Sequence, residues 1–272
     1  MNQIENKIAV ITGSTQGLGA EIARTFADSS VDGLVLCGRS KVRGRKIASQ
    51  IKNDFSVPTE FVEADLSNIS DCRKVIRRAD QSFGRIDILV NSAGISERGS
   101  IIDTSEDLFD KIFAINTKAP FFLIQETVKI MIRENLPGTI VNIGSTSAHA
   151  GQPFIAPYSA SKGALETLTR NCGYALMKNQ IRVNQLNIGW MASDGEDTIQ
   201  KKYHNAKEDW LEKAAEKQPF KRLLQPAEVA KAVTFLASED SGMMTGSVIH
   251  FDQSVWGAYS FSPPVPEEPM SV

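Results

Sequence analysis

Short runs of consecutive apolar residues recur along this chain, separated by longer segments of helical periodicity. That alternation is the pattern of a parallel sheet with helices packed on both faces. Strands are predicted at residues 8–11, 34–36, 60–62, 88–90, 139–143, 181–186 and 248–251. Several are apolar throughout, as strands buried on both faces must be. Helices are predicted at 17–28, 41–53, 70–83, 105–134 with a break, 157–177 and 226–237. Right-handed crossovers between parallel strands then favour an α/β fold, a Rossmann-like doubly wound parallel sheet of about seven strands.

Residues 1–261 form one domain in this reading. The polar, helix-prone stretch 192–224 is an insertion ahead of the last helix, and the Pro-rich stretch 262–272 is an extended tail. The 272 residues include 30 basic and 32 acidic ones, well mixed, with a net charge of −2 that offers no broad basic face to nucleic acid. The cluster Lys41, Arg43, Arg45 and Lys46 reads as a solvated helix face. No apolar run reaches the roughly 18 residues of a membrane span. Cys37, Cys72 and Cys172 have neither disulfide nor zinc spacing and read as small buried residues, which fits a reducing cytoplasm.

The first strand runs into Thr12-Gly13-Ser14-Thr15-Gln16-Gly17-Leu18-Gly19 and then into an amphipathic helix. In that order Gly13 permits a tight turn, Gly17 lets phosphate oxygens approach the backbone, and Gly19 lets the helix pack close to the sheet. The free N–H groups of the helix suit a pyrophosphate. After the second strand stands Cys37-Gly38-Arg39-Ser40, with no carboxylate for a ribose hydroxyl. Arg39, assisted by Ser40 and Arg43, suits the 2′-phosphate of NADP(H), with NAD(H) the alternative if Arg39 only covers the adenine. Asp65 suits the adenine amino group or, alternatively, the N-cap of the following helix.

Tyr158 and Lys162 are four residues apart at the start of a helical segment and share one helix face. Free tyrosine titrates near pH ~10, and an adjacent ammonium favours its phenolate, which suits proton exchange with a carbinol or carbonyl oxygen. Ser145 directly follows the fifth strand, at the same carboxyl edge as the glycine turn.

These motifs resemble the short-chain dehydrogenase/reductase family over nearly the whole chain through about Asp252. The match rests on Thr12-Gly13-x-x-x-Gly17-x-Gly19, Asn91-Ser92-Ala93-Gly94, Asn116, Ser145 and Tyr158-x-x-x-Lys162. The resemblance implies that Tyr158 is the acid/base and that Ser145 orients the substrate oxygen. It implies that Lys162 binds the nicotinamide ribose while lowering the tyrosine pKa, and that Asn116 interrupts its helix and holds a water. Dinucleotide contacts are then expected from Gly13, Ser14, Thr15, Gln16, Gly17, Leu18, Gly19, Arg39, Ser40, Asp65, Leu66, Asn91, Ala93, Gly94, Tyr158, Lys162, Gly189, Met191 and Ser193. A homo-oligomer, tetramer or dimer, is implied too, with the apolar helix 121–131 as a possible interface.

The sequence departs from the family pattern at Ser92, at Ile188 before Gly189, and at Asp252-Gln253-Ser254. These put the turn beside adenine, the backbone beside nicotinamide and the rim of the site in doubt. Substrate choice falls to the loops at the strand carboxyl ends, where Ser145, His149, Gln152, Tyr158 and Trp190 are expected to meet a small carbonyl or alcohol. Trp210 reads as core. The polar loops suit a sugar or polyol; a 3-oxoacyl thioester is the alternative substrate, and a non-catalytic dinucleotide sensor or scaffold the alternative of another class.

Overall fold

Adjacent residues of the central strands enter opposite cores. Val10 and Ile11 on β1 (Ile8–Thr12) belong to different buried clusters, as do Leu89 and Val90 on β4 (Ile88–Asn91) and Ile140 and Val141 on β5 (Gly138–Ser145). Helices cover both faces, so neither neighbour can be polar; this is the origin of the continuous apolar runs. With β2 (Gly33–Gly38), β3 (Thr59–Glu63), β6 (Ile181–Ile188) and β7 (Val248–Phe251) they form a seven-stranded parallel sheet of order β3-β2-β1-β4-β5-β6-β7. The computed structural model describes residues 4–255 together with Ala258 and Met270; the expected Pro-rich tail is otherwise outside them.

One face packs against α1 (Gly17–Asp28), α2 (Lys41–Phe55) and α9 (Pro226–Ala237), through Phe26, Ile51 and Val233 among others. The other packs against α3 (Ile69–Phe83), α5 (Ala119–Arg133) and α6 (Ala156–Ala175), through Val75, Leu123 and Leu168. Each buried Val, Leu or Phe side chain contributes on the order of 1.5–3 kcal/mol relative to exposure. At the base of β1, buried Asp87 accepts from the Ile8 amide at 2.8 Å and pairs with Arg85.

The break expected within residues 105–134 is a π turn, Ala114–Lys118, between α4 (Glu106–Phe113) and α5. Ser105 caps α4, its hydroxyl accepting from the Leu108 amide. The insertion holds α7 (Asp194–His204) and α8 (Trp210–Lys217). Its ends meet: Ala192 N–H donates to Leu224 O at 2.9 Å and Leu224 N–H to Trp190 O at 3.0 Å, so the segment leaves and rejoins the domain at one place. No described helix is long and apolar enough to cross a membrane. Cys37 and Cys72 are buried and Cys172 half-buried, all as free thiols.

Candidate active site

The chain leaves β1 toward β2 on one side and reaches β4 on the other, so the strand order reverses beside β1. Crevices at such reversals, outside the strand carboxyl ends, are where doubly wound sheets bind ligands. A cleft of about 270 Å³ lies there, lined by Gly13, Thr15, Gln16, Gly17, Leu18 and Gly19 from the first turn. Arg39, Ser40, Arg43, Asp65, Leu66, Ala93 and Gly94 line it from the ends of the next strands.

The glycines of the turn are required by geometry. Gly13 has φ +67, and a Cβ there would lie 2.8 Å from the Ala93 Cα; a Cβ on Gly19 would lie 2.6 Å from the Gly13 carbonyl oxygen. Gly17 has φ +53 and faces open space, where a ligand can approach the backbone. No acidic residue occupies the first turn of α1 or α2, so both N-termini keep their partial positive charge toward the cleft. Thr12 ties the two sides together: its hydroxyl accepts from the Ser92 and Ala93 amides, each at 3.0 Å. The turn at Ser92 is therefore held by Thr12, a role that the glycine pattern does not reveal.

The residues present fit a dinucleotide with a 2′-phosphate. Arg39, Ser40 and Arg43 converge at the N-terminus of α2, where the Ser40 hydroxyl accepts from the Arg43 amide at 3.4 Å, and no carboxylate ends β2. Asp65 lines the cleft but does not cap α3, whose N-cap is Asn68. Its Oδ1 accepts from the Ser67 amide and hydroxyl at 3.0 and 2.8 Å, and these bonds, with the Arg39 charge contributing, hold its carboxyl below the usual range. Two expected contacts stand behind the cleft. Ser14 is fully buried, donating to Ile11 O at 2.9 Å and accepting from the Cys37 amide at 3.0 Å, so its hydroxyl is spent on the turn. Asn91 is buried and donates to Asn142 Oδ1 at 2.8 Å, while its own Oδ1 has no partner among the described residues.

Ser193 lines both this cleft and a second cavity of about 560 Å³. Ser145 reaches the second cavity from the end of β5, and Tyr158 from the first turn of α6. The Ser145 hydroxyl acts on the Tyr158 phenol and itself accepts from the Ser147 amide at 3.1 Å. Lys162, one turn beyond Tyr158, is buried and donates to the Ile143 carbonyl at 2.8 Å. Asn116 in the π turn is fully buried. It accepts from the Ile95 amide at 3.0 Å and donates to the Ile95 carbonyl at 2.9 Å and Ser161 Oγ at 3.0 Å. Ser161 donates in turn to the Tyr158 carbonyl at 2.7 Å, so Asn116 fixes the start of α6. A Cβ on Gly94 would lie 3.4 Å from Asn116 Oδ1 and 3.5 Å from Lys162 Nζ, which locates these two groups on one side of the cleft.

Charge at the pair departs from the expected lowering of the tyrosine. Burial raises the Tyr158 phenol above its ordinary value, and the Ser145 hydrogen bond only partly counters this. Burial also pulls Lys162 down to about 8. The ammonium is directed at Ile143, with Nζ 5.7 Å from the Tyr158 ring centroid, so at neutral pH the site presents a phenol ready to donate.

Gln152, Trp190, Gly189 and Met191 line the second cavity, but His149 does not. Its Nε2 stands 3.2 Å from His250 Nε2 and 3.5 Å from Glu166 Oε1, on the α6–β7 side. Trp210 is half-buried rather than core: its indole stacks on Trp190 at 6.1 Å and donates to Asp197 at 2.8 Å. Trp190 donates to Glu196 at 2.8 Å, and Glu196 and Gln200 of α7 enter the cavity, two residues that polar periodicity concealed. The departures at 188 and 253 are accommodated. A Cβ on Gly189 would lie 2.5 Å from that of Asp252, and Gln253 pins the end of the insertion by bonding the Phe220 amide at 2.7 Å and the Arg222 carbonyl at 2.6 Å.

A family model described as Enoyl-(Acyl carrier protein) reductase matches residues 13–254. An uncharacterized oxidoreductase of Thermotoga maritima is 35% identical over 91% of this chain and 96% of its own. Galactitol 2-dehydrogenase of Agrobacterium fabrum is 29% identical over 93% and 99%. The crystal structure of L-sorbose reductase from Gluconobacter frateurii, complexed with NADPH and L-sorbose, superposes with a TM-score of 0.89 at 28% identity, covering 95% of this chain and 99% of that one. Sequence, topology and site agree over nearly the whole chain, and the protein belongs to the short-chain dehydrogenase/reductase family of oxidoreductases.

Proposed function

We propose that the protein interconverts a secondary alcohol and a ketone on a sugar- or polyol-type substrate, with NADP(H) preferred over NAD(H). The observation that carries this reading is the meeting of Tyr158 and Ser145 in a cavity whose lining is rich in polar side chains, Gln152, Gln200, Gln218, Ser96 and Ser147 among them. Such a wall offers hydroxyl-rich ligands the hydrogen bonds that an apolar substrate leaves unmade.

The bound nicotinamide dinucleotide supplies the hydride chemistry. In the reducing direction the Tyr158 phenol donates its proton to the substrate oxygen, while Ser145 orients that oxygen and stabilises its developing charge. Lys162 holds positive charge behind the phenol and meets the ribose hydroxyls, and Asn116 keeps the helix start in register. Arg39, Ser40 and the α2 N-terminus receive the 2′-phosphate. Two relatives, one named for galactitol and one complexed with L-sorbose and NADPH, support the substrate class and the cofactor. A carrier-bound thioester is disfavoured because the insertion mixes basic with acidic side chains, Lys201 pairing with Asp197 and Glu208 and Lys213 with Asp209.

The same reading extends to a cytoplasmic homo-oligomer, tetramer or dimer. Exposed Phe109, Phe121 and Tyr174 on α4, α5 and α6 are apolar surface that a second copy would cover. Parallel titrations with NADPH and NADH, followed by a screen of sugars, polyols and ketones, test the proposal. Tight dinucleotide binding without turnover of any carbonyl or alcohol in the screen would replace it with a sensor.

A further inference from the structure

Arg98 is a half-buried cation in the substrate cavity that forms no ion pair among the described residues. It lies on the segment after β4 and lines the cavity with Ser145 and Tyr158. Its Nε donates to His204 Nε2 at 3.2 Å and its NH1 to the Ser96 carbonyl at 3.0 Å. The guanidinium carbon stands 5.2 Å from the centroid of the Phe154 ring, which itself packs edge-on against His204 at 5.1 Å. These contacts hold the plane of the fork. They leave NH2 and the second N–H of NH1 without a partner among the described residues, and those two nitrogens form the end-on edge of the guanidinium.

Neither neighbour in the cavity forms a contact ion pair with Arg98, although the Glu196 charge acts on it from a distance. Burial and the Arg98 charge keep the His204 imidazole below its ordinary pKa, so it is neutral and accepts. Glu196 forms no ion pair with Arg98; its Oε1 accepts from Trp190 at 2.8 Å and Gln200 at 2.7 Å, leaving Oε2 for another donor. Burial of a guanidinium that Glu196 offsets only at a distance is unfavourable, and an anion bound in contact removes more of that penalty.

The geometry points to a substrate with a carboxylate on its polyhydroxylated chain, a sugar acid, held by the end-on edge of Arg98 while its carbinol or carbonyl oxygen meets Tyr158 and Ser145. This rests on the sugar or polyol reading above and narrows it. One guanidinium matches one negative charge, and Glu196 in the same cavity accepts from sugar hydroxyls while repelling a dianion, which favours a carboxylate over a phosphate.

The test is steady-state kinetics on matched panels: C5 and C6 aldonates and their keto forms, the corresponding neutral alditols and ketoses, and their terminal phosphates. The expected kcat/KM for the best acid exceeds that for its neutral counterpart by ~100-fold. Arg98→Met is expected to erase most of that ratio, and Arg98→Lys, which keeps charge but not the fork, to erase about tenfold of it. A merely structural arginine would lower both panels together and leave the ratio in place, which would overturn the inference, as would a neutral or phosphorylated substrate outrunning the acid. Turnover of the neutral panel alone sinks the sugar acid and spares the polyol reading; turnover confined to apolar ketones sinks both. Should nothing turn over, calorimetry of the aldonates against the NADP-loaded protein decides, and absence of binding overturns the proposal.

Discussion

Lys162 Nζ donates to the Ile143 carbonyl at 2.8 Å and stands 5.7 Å from the centroid of the Tyr158 ring, so the ammonium is anchored to β5 behind the phenol. The anchoring is made in a buried place, and burial holds the Lys162 pKa down to about 8, against an ordinary 10.5. The unfolded chain therefore binds this proton more tightly, and stability rises with pH between about 8 and 10.5. Below that window the buried charge costs about 3 kcal/mol. Lys162→Met is expected to raise the Tm of the cofactor-free protein at pH 7, partly offset by the orphaned Ile143 carbonyl, while abolishing activity. Melts across pH 7–10 check this: the advantage of the variant must shrink as pH rises.

Tyr158, raised by burial, remains a phenol at neutral pH. Carbonyl reduction has its proton in place, whereas alcohol oxidation needs the phenolate, so kcat/KM for oxidation is expected to climb with pH above neutrality. Tyr158→Phe should lose on the order of 10²–10⁴ in kcat with NADPH binding retained. Because the Ser145 hydrogen bond lowers the phenol, Ser145→Ala should displace the residual oxidation profile to higher pH. An unmoved profile would show that Ser145 acts on substrate alone.

Gly13 and Arg39 make separable contributions to the dinucleotide cleft. Gly13→Ala forces a side chain into φ +67 and to within 2.8 Å of the Ala93 Cα, so binding of both dinucleotides should collapse. Arg39→Asp should weaken NADPH by roughly 10- to 100-fold, the worth of a charged hydrogen bond, and spare NADH. Fluorescence titration reads both. Equal loss of the two cofactors in Arg39→Asp would refute the 2′-phosphate assignment.

The stack of Trp210 on Trp190, with the Trp210–Asp197 hydrogen bond, ties α8 to the helix that carries Glu196 and Gln200. Trp210→Ala should loosen that helix and raise KM for the physiological substrate about tenfold, with a smaller change in kcat. A KM left unchanged would mean that α7 positions its side chains without the stack.

Much of this was readable from residues in order. Double-sided burial wrote the strands as apolar runs, and Gly13, Gly17 and Gly19 announced a strand-turn-helix that only small residues can form. Tyr158 and Lys162 were legible because helical spacing places them on one face. Other features were not. Glu196 and Gln200 sit in a polar helix whose pattern looks like a solvated face until Trp190 and Trp210 turn it inward, and His149 looked like a cavity residue until His250, far along the chain, was beside it.

Local chemistry thus determined the elements, the glycine turn and the Tyr158–Lys162 pair on one helix face, since these depend on residue type and near neighbours along the chain. Tertiary structure decided the electrostatics and the specificity. The raised phenol, the depressed Lys162 and the Arg98 guanidinium held by His204 and Ser96 all depend on desolvation and on partners brought together from distant strands and loops, which sequence spacing does not encode.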